Sequence, residues 1–253
     1  MLPRIILHRH KKSEQLFVHF DRVRICTFQV KEFRTGLDFF SLQYIINVVS
    51  SRSCNWHERQ MNMEAYEMTY TMEIAGLRRE LPICQVSEDL YIGSFICLGD
   101  AELTEACARE LLKLVPADSY DYLFTAEAKS IPLIHEMARQ SGAKKYFVAR
   151  KGAKAYMPDP LCVEDRSITT AGVQRLYLGR DDADLIRGKR VLLMDDVIST
   201  GGSMHAMESL VEKAGGTVAA RIAVLAEGDS QYRKDIKFLA PLPLFNADGT
   251  VKG

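Results

Sequence analysis

Val191-Leu-Leu-Met-Asp-Asp-Val-Ile-Ser-Thr-Gly-Gly-Ser203 decides the fold. Its first four residues are apolar without a polar face, the pattern of a strand buried on both sides inside a parallel sheet. Two acids follow, then two more apolar residues, then a run of hydroxyls and glycines. From about Ser203 the spacing becomes helical and continues to Ala214, where Gly215 and Gly216 close it.

Each part of this stretch has a physical job. Gly201 and Gly202 let the backbone curl with its N–H groups facing inward, Thr200 and Ser203 add hydroxyl donors, and the following helix offers its positive end. Together they form an expected phosphate cradle. Asp195 and Asp196 fall at the carboxyl end of the strand, where doubly wound sheets bind their ligands. Paired carboxylates there suit ribose hydroxyls or a hydrated magnesium ion. Two acids after a strand can also simply cap the next helix; the Ser-Thr-Gly-Gly-Ser run at a helix start is what points beyond capping. The spacing excludes a P-loop, which needs G-x-x-x-x-G-K, and also G-x-G-x-x-G.

Outward from this stretch, strands alternate with amphipathic helices, as in a parallel sheet covered on its faces. Asp100 caps an expected helix to about Val115, with Leu103, Cys107, Leu111 and Leu114 as its core stripe. Tyr122–Ala126 reads as a short strand, and Ser130 with Pro132 opens a second helix that ends at Gly142. Lys145–Arg150, Thr217–Glu227 and Ile236–Leu239 read as further strands. Between Lys151 and Arg187 lies a long polar stretch in which only Gln174–Leu178 is strand-like. A segment of that kind inside a compact domain is expected to be a functional lid or disordered. His135 and His205 sit on helices without a partner acid at catalytic spacing, so structural roles are expected, as they are for Met204 and Met207.

Composition changes near residue 60. The first 60 residues contain no alanine and the remainder contains 23; the first segment has ten basic and five acidic residues, and the two parts carry +5 and −5. A basic arm for nucleic acid would explain that charge, but no helix-turn-helix, heptad or sustained alternation accompanies it. Met61, Met63, Met68 and Met72 follow closely, so translation is expected to start at Met61 or Met63, with residues 1–60 an extension and 61–253 the functional domain. The whole chain has 33 basic and 33 acidic residues, a balance that does not indicate nucleic acid or an anionic membrane as a partner. No apolar run reaches membrane-helix length and no secretory signal is evident, which makes a cytoplasmic location the expectation. The six cysteines show neither C-x-x-C nor metal-ligand spacing, and are expected to be reduced thiols.

The Val191–Ser203 stretch closely resembles the phosphoribosyl pyrophosphate signature of type I phosphoribosyltransferases. From about Leu81 to Phe245 the order of elements is similar to the adenine phosphoribosyltransferase family. The resemblance implies an α/β fold, a doubly wound and mostly parallel sheet with helices on both faces, plus a small hood. It implies that Asp195 and Asp196 hold the ribose hydroxyls and that Ser199, Thr200, Gly201, Gly202 and Ser203 hold the 5′-phosphate. Ala126-Glu-Ala-Lys-Ser130 resembles the family's pyrophosphate loop, with Lys129 in place of arginine and, in many members, a non-proline cis peptide. Ala128 and Lys129, together with Arg150, Lys151 and Lys154 of the basic Arg150-Lys-Gly-Ala-Lys154 stretch, are thereby implied to bind pyrophosphate. Asp195, Asp196 and Lys129 become the candidate catalytic residues, with Mg²⁺ as cofactor held mainly through ligand and water.

The implied activity is transfer of phosphoribose to a purine base in salvage, by a homodimer, with residues Lys154 to Gly179 closing as a lid. Adenine-specific members carry a lid glutamate, which Ser167-Ile-Thr-Thr-Ala-Gly172 lacks; Glu164 and Asp165 lie upstream of it. The family's F-R-D-I element is replaced by Asp89-Leu-Tyr-Ile-Gly93. Adenine leads, with hypoxanthine, guanine and xanthine beside it. A phosphoribosyl pyrophosphate sensor without catalysis and a pyrimidine or orotate enzyme stand as alternatives.

Overall fold

A computed structural model of the chain describes residues 5–9, 15–20, 23–29, 68–165 and 174–252. The chain divides into two units, Met1–Met61 and Asn62–Gly253. In the first, β1 (Ile5–Arg9), β2 (Gln15–Phe20) and β3 (Val23–Gln29) pair as an antiparallel sheet in that order. These strands form although no sustained alternation marks them in the sequence. The expected start at Met61 or Met63 lies outside the described residues.

The second unit opens with β4 (Thr69–Ile74), β5 (Leu77–Ser87) and β6 (Leu90–Gly93). Together with β14 (Leu244–Phe245) they form an antiparallel sheet in the order β14-β6-β5-β4, the expected small hood. Then come α1 (Ala101–Lys113), β7 (Tyr122–Ala126), α2 (Ile131–Ser141) and β8 (Tyr146–Ala149). The carboxyl half adds β11 (Arg190–Ile198), α4 (Gly202–Lys213), β12 (Thr217–Glu227) and β13 (Lys237–Leu242). Five strands make a wholly parallel sheet in the order β13-β12-β11-β7-β8.

β11 lies in the centre of that sheet, which explains its unbroken apolar run. Leu192 and Met194 face a core shared with Leu103, Cys107 and Leu111 of α1 and Leu133, Ile134 and Met137 of α2. Val191 and Leu193 face the opposite core, built with Met207, Leu210 and Val211 of α4. All four β11 side chains are fully buried, and burying each contributes roughly 1.5–3 kcal/mol. The sheet therefore carries helices on both faces, as a doubly wound α/β fold requires. Asp100 caps α1 as expected, its carboxylate accepting from the Leu103 N–H at 3.0 Å. Gly142 ends α2 in the left-handed conformation, at φ 75°.

The structure corrects the sequence in three places. β11 runs through both acids to Ile198, its pairing with β12 continuing past Asp195 to Val197 and Ile198. β13 begins and ends later than expected, and its Pro241 is tolerated because this is an edge strand. The polar stretch after Lys151 holds two elements that the sequence did not signal, β9 (Leu161–Asp165) and α3 (Arg180–Ile186). β9 pairs antiparallel with β10 (Gln174–Leu178). Residues 166–173, with the Ser167–Gly172 segment of the expected lid, lie outside the described residues.

Candidate active site

The sheet order sets the position of the site. From β7 the chain moves outward to β8, and from β11 it moves the other way to β12 and β13. The crevice at the carboxyl ends of β7 and β11 is therefore the topological switch point, where open α/β sheets bind ligands. A buried hydrogen bond from Thr125 Oγ1 to the Met194 carbonyl, 2.7 Å long, joins the two strands at that rim. Beyond it β7 releases Glu127, Ala128, Lys129 and Ser130, of which Lys129 and Ser130 meet the acids of β11. The Glu127–Ala128 peptide is cis, the form expected of this loop.

Ser130 starts α2, but its hydroxyl makes no capping hydrogen bond. Instead it lies 3.0 Å from Oδ1 of Asp195 and 3.2 Å from Oδ1 of Asp196, and accepts from the Asp196 N–H at 3.0 Å. Oδ1 of Asp195 also accepts from that N–H, at 2.9 Å. Asp196 is 5% exposed and Asp195 half-buried. The Lys129 ammonium stands 2.7 Å from Oδ2 of Asp196. It meets that oxygen outside hydrogen-bonding geometry, so the buried Oδ2 has no hydrogen-bond partner among the described residues. Burial first, and then the neighbouring Asp196 charge, push the Asp195 carboxyl up to about 7.

The cradle lies on the adjacent turn. Gly201 caps α4 at φ 86°, a left-handed conformation that favours glycine, while Ser199, Thr200 and Ser203 are exposed. The turn is anchored by the 3₁₀ segment Gly228–Tyr232, whose Ser230 hydroxyl donates to the Ser199 carbonyl. Glu227, at the end of β12, is buried, and its carboxyl is raised by that burial.

Of the basic residues, Lys129 reaches the acids and Arg150 does not. Arg150 Nε pairs with Glu127 at 2.9 Å, and Glu127 also accepts from the Lys151 N–H. Arg150 exchanges two 2.8 Å backbone hydrogen bonds with Tyr177 of β10, which ties the basic stretch to the β9–β10 ribbon. Lys151 is exposed and Lys154 half-buried. Glu164 is committed to Arg175 at 2.7 Å. Met204 and Met207 are core residues, and His135 pairs with Tyr146 at 3.4 Å. Sequence reasoning missed Glu127 and Glu227 and read Ser130 as a cap. The one available signal was Ser130's position directly after the Ala126-Glu-Ala-Lys loop.

Residues 102–242 match the model of the phosphoribosyl transferase domain family, more than half of the chain. The chain belongs to that family. The match contains every candidate residue of this phosphoribosyltransferase, from Ala128 to Ser203. Its relatives include the adenine phosphoribosyltransferase of Thermotoga neapolitana, 32% identical over 156 residues, which span 62% of this chain and 88% of the relative. The hypoxanthine/guanine phosphoribosyltransferase of Methanotorris igneus is 29% identical over 140 residues, 55% of this chain and 72% of the relative. A solved adenine phosphoribosyltransferase from Rhodothermus marinus aligns with a TM-score of 0.48 and 22% identity, covering 71% of this chain and 97% of that one. The phosphoribosyltransferase is thus a member of the purine group, similar at comparable identity to relatives named for adenine and for hypoxanthine and guanine.

Proposed function

We propose that this enzyme transfers phosphoribose from phosphoribosyl pyrophosphate to a purine base, with adenine the leading acceptor, giving a nucleoside monophosphate and pyrophosphate. The carrying observation is the Ser130-bridged pair Asp195 and Asp196 at the switch point, between the phosphate turn and Lys129. In this reading the acids accept from the ribose 2′ and 3′ hydroxyls, and residues Ser199 to Ser203 bind the 5′-phosphate. Ala128, Lys129, Arg150, Lys151 and Lys154 face the pyrophosphate. A ring nitrogen of the base bonds to ribose C1 as the C1–O bond to pyrophosphate breaks, both bonding electrons leave on pyrophosphate oxygen, and the proton of the ring N–H passes to solvent.

Charge build-up on that oxygen is the main barrier, and Lys129 is the cation best placed to offset it once Asp196 turns to the ribose. Lysine does this as a point charge rather than as arginine's planar fork. Magnesium fits the donor set, because Oδ2 of Asp196 is buried and lacks a hydrogen-bond partner among the described residues, beside a second carboxylate. When bound with the sugar donor, the ion supplies further neutralisation of the pyrophosphate. The reading includes a homodimer in the cytoplasm.

A phosphoribosyl pyrophosphate sensor is favoured by one observation, the absence of the lid glutamate from Ser167–Gly172. The full chain is incubated with phosphoribosyl pyrophosphate, Mg²⁺ and, separately, adenine, guanine, hypoxanthine, xanthine, uracil and orotate, with nucleotide detected by chromatography. Conversion of a purine supports the proposal. Sugar-donor binding without conversion of any base favours the sensor, and conversion of uracil or orotate alone overturns the purine assignment.

A further inference from the structure

Gly201 is occupied from outside. A Cβ built on it would collide with Nη1 of Arg233 and stand 3.6 Å from Cζ. The guanidinium of Arg233 thus fills the space that a side chain at the phosphate turn would take. Arg233 directly follows the 3₁₀ segment after β12, thirty-odd residues on in sequence, and that segment is the one already tied to the turn through Ser230 and Ser199. The backbone N–H of Arg233 closes the same segment on the Ser230 carbonyl at 3.2 Å.

The rest of the guanidinium is spoken for. Nε and Nη2 donate to the two carboxylate oxygens of Asp235, at 3.1 and 2.7 Å. This fork fixes the plane of the group and leaves Nη1, the nitrogen nearest Gly201, without a hydrogen bond among the described residues. A cation held rigidly by one carboxylate, with a free pair of N–H donors at an anion-binding turn, is pre-organised for a second anion.

We propose that Arg233 is an additional phosphate-binding residue, which supplies Nη1 to the ribose 5′-phosphate held by Ser199–Ser203. Gly201 is then constrained twice, by its left-handed backbone and by the approach of Arg233. This inference rests on the proposed phosphoribosyl pyrophosphate site and deepens it. Arg233 stands at the Ser199–Ser203 turn and belongs to neither the Ala126–Ser130 nor the Arg150–Lys154 segment, so its contribution separates from pyrophosphate binding.

The test measures ribose 5-phosphate and, separately, inorganic pyrophosphate with Mg²⁺, binding to the full-length wild type, Arg233→Gln and Arg233→Lys by calorimetry. Arg233→Gln should weaken ribose 5-phosphate about 10- to 100-fold, the weight of one charge-assisted hydrogen-bonded contact, and leave pyrophosphate within about 3-fold. Arg233→Lys should recover part of the loss. Retained pyrophosphate binding also reports that the variant is folded; should Arg233→Gln not fold, the same comparison is made with Arg233→Lys, which should lose several-fold for ribose 5-phosphate alone. Unchanged ribose 5-phosphate affinity in the variants overturns the role of Arg233 and leaves the wider site standing, as does an equal loss for both ligands. If the wild type binds neither ligand, the phosphoribosyl pyrophosphate site itself is refuted, and Arg233's role with it.

Discussion

Asp195→Asn should make the ligand-free protein more stable at pH 8 while disabling its chemistry. The substitution keeps the size of the side chain and its Oδ1 acceptor for Ser130 and the Asp196 N–H, and removes one of two adjacent carboxylates. Because the folded-state carboxyl is pushed from 3.8 to about 7, the native protein holds a proton that the unfolded chain has already released. Stability therefore falls as pH rises through this window, and the cost is complete above about 7. At about 1.4 kcal/mol per tenfold change in proton affinity the ceiling is about 4 kcal/mol. The partial exposure of Asp195 and its hydrogen bond from Ser130 lower this to about 1–3 kcal/mol. For a unit of this size that is a gain of about 3–10 °C in Tm at pH 8, fading towards zero near pH 4. Thermal unfolding of wild type and variant by circular dichroism at pH 4.5, 6 and 8 measures it. A variant that melts at or below wild type at pH 8, or whose advantage is the same at all three pH values, refutes the reasoning.

Lys129→Met should lower kcat for nucleotide formation about 100- to 1000-fold, the cost of removing one well-placed electrostatic donor, measured in a steady-state assay on the accepted base. A fall of less than 3-fold would remove Lys129 from the chemistry. Gly216→Ala should destabilise the fold by about 1–3 kcal/mol, because its Cβ would stand 2.6 Å from Ile186 Cγ2 and 3.1 Å from the Ile186 carbonyl oxygen. Urea unfolding should show a lower midpoint at unchanged slope, and an unchanged midpoint would contradict this close approach.

How much of the molecule was legible differs from element to element. Val191 to Met194 announced a central strand because burial on both faces leaves no polar position to confuse the period. The phosphate turn was legible because its conformation demands glycine at Gly201. Ser130 was misread because a serine before a helix is ordinarily a cap; its actual partners lie 65 and 66 residues away and meet it only when β7 and β11 pair. α3 escaped notice because its seven residues bury only Ala183 and Ile186, too narrow a stripe to register as a helical period. β9 has apolar residues only at Leu161, Cys162 and Val163, and takes its regularity from β10. Arg233 has no local signal at all, since its significance comes from a glycine in another turn.

The central place of β11 also dictates the order in which the protein can become itself during synthesis. β7 and β8 leave the ribosome well before β11, and until β11 arrives β7 presents an unpaired edge. A nascent chain that ends before Arg190 already contains Lys129, Arg150 and two of the sheet's five strands, yet has no acids opposite them and no strand to seal that edge. Such an intermediate is exposed to wrong pairing with other chains, and the long-range closure that rescues it is intrinsically slow. The joining of β11 to β7 and the first meeting of Asp195 and Asp196 with the Lys129 loop are consequently one event, so a ligand that spans the two loops selects for the correctly paired sheet.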